Sequence, residues 1–206
     1  MPGEKRIMII GGGLSGLTLA YLLSKQNIKP AILEASQRLG GRILTEKGPL
    51  GTPLELGATW LTHDHSRLQS LMSDLKLNKH PQLSSGISLF ETSYEEAPQK
   101  FSVPEEESSP FRIVGGTQQL TEALLLKLDS NTVKTDCKVT HIYGEENELF
   151  VEISSGETFV ADQVILCLPP QVISSEITFS PGLPEPLPQL LPQVQTWMAG
   201  SIKFVL

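Results

Sequence analysis

The sequence predicts an α/β fold built on a parallel sheet, and three observations predict it. Two short apolar runs, residues 7–10 and 164–168, have the character of parallel strands covered on both faces. The first run stops at glycines that open a helix of the kind that packs against a sheet. Between the two runs, residues 138–143, 149–153 and 158–161 alternate like a three-strand β-meander, with turns at 144–147 and 155–156.

Strand 7–10 leads into a helix in which Leu17, Ala20, Tyr21 and Ser24 recur at three- and four-residue spacing, widened by Leu19, Leu22 and Leu23. Asn27 and Pro30 mark its exit, and Ala31, Ile32 and Leu33 make the second strand of a right-handed βαβ crossover. Residues 35–62 carry many glycines and few helix formers, so they read as an extended connection lying along the fold. Residues 63–77 read as a helix with Leu68, Leu71, Met72 and Leu75 on one stripe. Residues 78–109 are mixed and end in a solvated acidic loop, PEEESSP. After FRIVGG, Thr117 is the expected cap of a helix carrying Leu120, Leu124 and Leu128. Strand 164–168 ends at Pro169 and Pro170, residues 180–192 are proline-rich and read as extended, and residues 197–206 read as the start of a new strand. No internal repeat is visible.

Composition narrows the partners. The formal net charge of -7, with no Lys/Arg block, argues against nucleic acid or an anionic membrane surface. The four-residue apolar run before the glycines is far too short for a signal-peptide core or a membrane span, and a cytoplasmic location is expected. Cys137 and Cys167, each inside an apolar run, read as buried inert thiols in a reducing compartment. His63, His65, His80 and His141 have no metal-ligand spacing, so no metal is expected.

The chemistry is carried by Gly11-Gly12-Gly13-Leu14-Ser15-Gly16, which satisfies G-x-G-x-x-G in the right context: strand before, helix after, acidic residue at the end of the next strand. Gly11 permits the tight turn, Gly13 lets backbone approach a pyrophosphate, and Gly16 lets helix and strand pack closely. Leu14 and Ser15 open the helix whose positive end receives phosphates. Glu34, at the end of the second strand, can accept hydrogen bonds from a ribose diol and disfavours a 2′-phosphate, so FAD or NAD fits better than NADP.

The next segment, Glu34-Ala35-Ser36-Gln37-Arg38-Leu39-Gly40-Gly41-Arg42, resembles the N-terminal signature of the flavin-containing amine oxidase family, which includes monoamine, polyamine and L-amino-acid oxidases. Its glycines would let the chain pass beside a cofactor, and Arg42 would offer a fork of donors to phosphate oxygens or, on its chemistry alone, pair with a surface carboxylate. Leu54-Glu55-Leu56-Gly57-Ala58-Thr59-Trp60 resembles the family segment running under the isoalloxazine; Trp60 also reads as a core aromatic. Residues 111–116 resemble a family glycine pair before a helix. Val139 matches the position whose backbone holds adenine in the family, and residues 161–170 resemble the returning strand, with Leu168 near the cofactor. Lys203, in Ala199-Gly200-Ser201-Ile202-Lys203, resembles a lysine held near flavin N5 through a water, buried so that it assists reoxidation by oxygen. On residue chemistry alone it also reads as a strand lysine facing solvent.

The resemblance implies a Rossmann-like FAD-binding domain formed by residues 1–77 and 116–175, with parts of a substrate domain at 78–115 and 176–206. It implies an oxidoreductase that oxidises a small-molecule amine with oxygen, FAD held non-covalently, since neither cysteine sits in an attachment motif. Family members are longer, so the sequence is expected to be an N-terminal portion. Its sheet would then expose an edge that invites a C-terminal partner chain or self-association. A carotenoid-desaturase-like or protoporphyrinogen-oxidase-like flavoprotein shares the fingerprint and stays open, with Lys203 as the discriminating residue. A catalytically silent flavin-binding protein also stays open.

Overall fold

The computed structural model describes residues 5–83, 85–104, 110–145, 148–196, 200 and 202–204. β1 (Ile7–Ile10) lies inside a four-stranded parallel sheet between β2 (Ala31–Leu33) and β13 (Gln163–Leu166), and β9 (Val133–Lys134) continues the sheet beyond β2. Successive β1 side chains serve two cores, which is why the strand is apolar throughout. Ile9 packs with Leu17 and Tyr21 of α1 (Leu14–Ser24) and with Leu120 and Leu124 of α3 (Gln118–Leu125). Met8 and Ile10 pack with Val139, Val151 and Ala161 on the opposite face. A second helix, α2 (Ser66–Asp74), is tied to α1 where Tyr21 Oη donates to Asp74 at 2.7 Å and Lys25 pairs with the same carboxylate at 2.8 Å.

The meander is β10 (Val139–Glu145), β11 (Glu148–Ile153) and β12 (Thr158–Ala161), and β14 (Thr178–Ser180) adds a parallel strand to β10. Three small two-stranded pairings surround these layers. They join β3 (Thr45–Lys47) to β4 (Pro53–Glu55), β5 (Lys79–Pro81) to β8 (Phe111–Ile113), and β6 (Gly86–Phe90) to β7 (Gln99–Val103).

The structure departs from the sequence reading in several places. Segment 35–62 contains the β3–β4 hairpin and is not simply extended. Pro170 starts a helix, α4 (Pro170–Glu176), because proline at the first helical position lacks only an N–H that no helix would use. Residues 180–192 are not extended throughout: α5 (Leu187–Leu190) and a 3₁₀ turn at Leu191–Gln193 form there. Thr117 does not cap α3 with its side chain; its hydroxyl lies against Glu55 and Ala58. The helix ends at Leu125, short of Leu128. Of the strand expected at 197–206, residues 202–204 have no regular structure, while 197–199, 201 and 205–206 lie outside the described residues, as does most of the acidic loop.

One ion-pair cluster clips the sheet together. The Arg6 backbone N–H and guanidinium bind Asp162 at 2.7 and 2.6 Å, joining the start of β1 to the start of β13, and the guanidinium also reaches Glu148 at 2.6 Å. Hydrogen bonding to Arg6 holds the Asp162 carboxyl at about 2, below its ordinary 3.8. A depressed carboxyl stabilises the fold above its unfolded value and loses that contribution as pH falls through the folded one. Urea unfolding of Asp162→Asn is therefore expected to show a stability deficit above pH 3.8 that shrinks towards zero near pH 2. A deficit independent of pH across that window would refute this linkage.

Candidate cofactor-binding site

The glycine turn after β1 is built by contacts that leave no room for side chains. Gly11 has φ +109°, its N–H donates to Leu33 O at 2.9 Å, and a Cβ there would meet Cys167 O at 2.7 Å. A Cβ on Gly16 would overlap Gly11 O, so α1 lies directly on the turn. Gly13 faces the second glycine loop: Gly40 N–H donates to Gly12 O at 2.9 Å, and a Cβ on Gly41 would stand 3.4 Å from the Gly13 Cα. At Leu14 and Ser15 the start of α1 has neither a side-chain cap nor an acidic residue in its first turn. Its N–H groups and positive dipole end thus face a trough walled by backbone, the form that receives a pyrophosphate.

Two arginines of the second loop do different work. The Arg38 guanidinium is spent on the Ile43 and Gly41 carbonyls, at 3.1 and 2.8 Å, and fixes the loop. Arg42 is exposed and has no ion pair among the described residues, leaving its fork for a ligand.

A narrow crevice of about 80 Å³ adjoins the trough, lined by Gly11, Glu34, Ala35, Val139 and Leu168 among others. Five residues singled out in the sequence, from four separate stretches, thereby meet. Glu34 accepts the N–H groups of Gly12 (2.6 Å) and Ser36 (2.9 Å), which aims its carboxylate into the crevice mouth with acceptor positions to spare. Ile153 N–H bonds to Glu157 on the β12 side, so Ile153 and its partner Val139 form a non-hydrogen-bonded pair. The Val139 N–H and C=O consequently point away from β11, on the crevice side. Cys137 also lines the crevice, and burial pushes its thiol up. At the rim Lys138 and Glu176 form an ion pair at 2.6 Å.

The third group lies beyond the second loop. Ala58 N–H donates to Arg42 O at 3.0 Å, and a Cβ on Gly57 would overlap Arg42 O and meet Leu44 N at 2.7 Å. Lys203 Nζ donates to Gly57 O at 2.9 Å and to Thr59 Oγ1, although these residues are separated by more than half the chain. The lysine is exposed, contrary to the buried position expected, because no described element packs over it. Trp60 is 67% exposed and is no core aromatic.

Sequence reasoning missed Glu55, which is 4% exposed. It accepts the Thr117 N–H and hydroxyl, both at 2.7 Å, and the Thr45 hydroxyl at 2.8 Å. The sequence assigned it no role, and its only signal is its place before Leu56-Gly57-Ala58. A larger open depression of about 570 Å³, lined by His141, Tyr143 and Glu152 on the meander, contains none of the predicted site residues. Its breadth reflects an open sheet face, and the glycine trough remains the chemically specific feature.

Comparison with known proteins identifies a family and a shared fold. The family model described as flavin containing amine oxidoreductase matches residues 14–96 and 92–206. The chain is 42% identical over 59 residues to lysine-specific histone demethylase 1 homolog 3 of Arabidopsis thaliana, covering 29% of this chain and 4% of that protein. It is 23% identical over 265 residues to polyamine oxidase 2 of Arabidopsis thaliana, covering 87% of this chain and 54% of the relative. Its fold superposes on wild-type putrescine oxidase bound to putrescine with TM-score 0.76 and 19% identity, covering 91% of this chain and 63% of that one. The chain thus spans about half the length of that polyamine oxidase and under two thirds of the putrescine oxidase. With the model matched from the first turn of α1 to the last residue, the chain belongs to the flavin-containing amine oxidoreductase family.

Proposed function

We propose that this chain supplies the FAD-binding part of an amine oxidase that uses oxygen as electron acceptor. The observation that carries this reading is the meeting of Gly11, Glu34, Val139 and Leu168 at one crevice beside a phosphate trough. When bound, FAD supplies the redox chemistry, taking hydride from the carbon beside the amine nitrogen and passing electrons to oxygen. In this assignment Glu34 holds the ribose diol and the Val139 backbone reads the adenine edge. Leu14, Ser15 and Arg42 bind phosphate. Gly57, Ala58, Thr59 and Trp60 border the ring, and Lys203, tied to Gly57 and Thr59, orients water beside it. Leu168 packs against the cofactor from the bend after β13.

The cofactor is assigned as non-covalent, in keeping with a buried Cys137 whose thiol is pushed up and a half-buried Cys167. Two unpaired thiols also suit a cytoplasmic setting. No helix of the described residues is long and apolar enough to cross a membrane. Little amine turnover is expected from these 206 residues by themselves, given the share of the relatives that they span.

The test is spectroscopic. The 206-residue chain, incubated with FAD and passed through gel filtration, is expected to retain a flavin spectrum. Glu34→Ala removes the ribose acceptor and the brace on Gly12, and should weaken FAD binding about tenfold or more, ~1.4 kcal/mol. A folded wild-type chain that takes up no FAD refutes the assignment.

A further inference from the structure

We infer that Glu55, acting through Thr117, is the residue that positions the Gly57–Thr59 backbone and with it Lys203. This inference rests on the flavin reading above and assigns a new role within that site. Glu55 sits at the end of β4, nearly sealed from solvent, and no Lys or Arg pairs with it among the described residues. A buried carboxylate without a counter-ion survives only where donors surround it. Here they come from one place: the Thr117 N–H on Oε1, and the Thr117 and Thr45 hydroxyls on Oε2. Thr45 Oγ1 in turn accepts the Gln118 N–H at 3.0 Å, so hairpin and α3 are locked to each other around this carboxylate.

The lock extends to the flavin-side segment. The one proton of the Thr117 hydroxyl is shared between Glu55 Oε2, 2.7 Å away, and Ala58 O, 2.8 Å away and between the two residues that meet Lys203, while the Thr117 N–H stays on Glu55 Oε1. Thr59 Oγ1 donates to Gly57 O at 3.1 Å, which leaves its lone pairs for the lysine ammonium. A continuous path therefore runs from Glu55 through Thr117 and Ala58 to Gly57, Thr59 and Lys203 Nζ. Gly116, with φ +96° and the Thr45 side chain where a Cβ would stand, lets the α3 turn close onto the hairpin. Neither Glu55 nor Thr117 touches the glycine trough or the adenosine crevice, and the Ala58 N–H brace on Arg42 O does not depend on them, so the path can be broken at Thr117 while FAD binding is retained.

The experiment uses the 206-residue chain loaded with FAD, reduced anaerobically with dithionite and mixed with oxygenated buffer, alongside amide hydrogen exchange of the apo chain. Thr117→Val is expected to slow flavin reoxidation about tenfold, short of the roughly hundredfold that a full 1 Å misplacement can cost. It should also speed exchange at residues 56–59 while leaving β1 and α1 protected. Thr117→Ser, which keeps the hydroxyl, should restore both readouts, and FAD affinity should change less than about threefold throughout. Combining Thr117→Val with Lys203→Met should add little to Lys203→Met alone, because both break one path. Glu55→Gln, which turns an acceptor into a donor facing two hydroxyls, should match Thr117→Val. Reoxidation at the wild-type rate in FAD-loaded Thr117→Val, or full additivity with Lys203→Met, overturns the inference while leaving the flavin reading standing. A wild-type chain that binds no FAD overturns both.

Discussion

Gly16→Ala is expected to strip the chain of FAD and to lower its stability by about 3 kcal/mol, at the upper end of what overpacking costs. The new methyl would overlap the Gly11 carbonyl oxygen and crowd the Gly11 carbonyl carbon, 3.2 Å away, and Ile9 Cγ2, 3.3 Å away. The first two obstacles are backbone, so no rotamer change relieves them. Relief comes only by lifting α1 from β1, and that movement pulls the helix N-terminus out of line with the trough formed by Gly13 and Gly41. Stability and cofactor affinity should thus fall together. Urea unfolding and FAD titration read the two losses. Gly182→Ala is the control, because nothing stands within 4 Å of its added methyl, and a change within about 0.5 kcal/mol is expected. A Gly16→Ala chain that binds FAD like wild type would mean that helix and turn are not held by this contact.

The second large effect is expected from Gly57→Ala, and it should take a different form. A methyl there overlaps Arg42 O and meets Leu44 N at 2.7 Å, which forces the 57–59 segment away from the second glycine loop. Arg42 loses its backbone brace to Ala58, and Lys203 loses the carbonyl on which it rests. FAD affinity should drop about tenfold, ~1.4 kcal/mol, through the displaced Arg42. Core stability should fall less than in Gly16→Ala, because Gly57 is half-buried and belongs to neither hydrophobic core. Equilibrium dialysis with FAD and thermal unfolding, run on the same preparation, separate the two quantities. An unchanged FAD affinity would show that Arg42 owes nothing to this segment.

The parts of the fold legible in the sequence are those in which burial imposes a pattern. β1 serves two cores and has no place for a polar residue. α1 places its buried Leu17, Ala20 and Tyr21 at helical spacing although apolar residues surround it, the meander strands alternate, and the glycine turn is legible because backbone geometry leaves no other residue type available. Elements made by pairing alone were not legible. β9 is two residues long, and Val133–Lys134 has no periodicity; it is a strand only because β2 offers a free edge. The β3–β4 hairpin and β14 are three-residue strands of the same kind. Pro169 and Pro170 read as a stop, although Pro170 also suits a start. In the candidate site, the glycines and Glu34 stood out by local sequence context and Val139 by resemblance, and Gly11, Glu34 and Val139 meet at one crevice. Glu55 did not stand out, since its partner Thr117 lies 62 residues away and each looks ordinary alone. Lys203 was singled out by resemblance as a buried lysine and is exposed, because its burial depends on what covers it, which local residues do not encode.

The sheet order carries a further consequence, for the order in which the chain can fold. β1 is synthesised well before its neighbour β13, which begins at Gln163, and the Arg6–Asp162 clip closes over a separation of 156 residues. Loop closure on that scale is entropically slow, and parallel pairing cannot be shortened by a hairpin. Until β13 is made, β1 has β2 on one side and an open hydrogen-bonding edge on the other. Over the same interval Gly11 lacks the Cys167 carbonyl behind it, and the crevice lacks its Leu168 wall. The nascent chain must therefore carry an unfinished central strand until Gln163–Leu166 is made, exposed to chaperones and to mispairing, and the candidate crevice gains its Leu168 wall only after that strand.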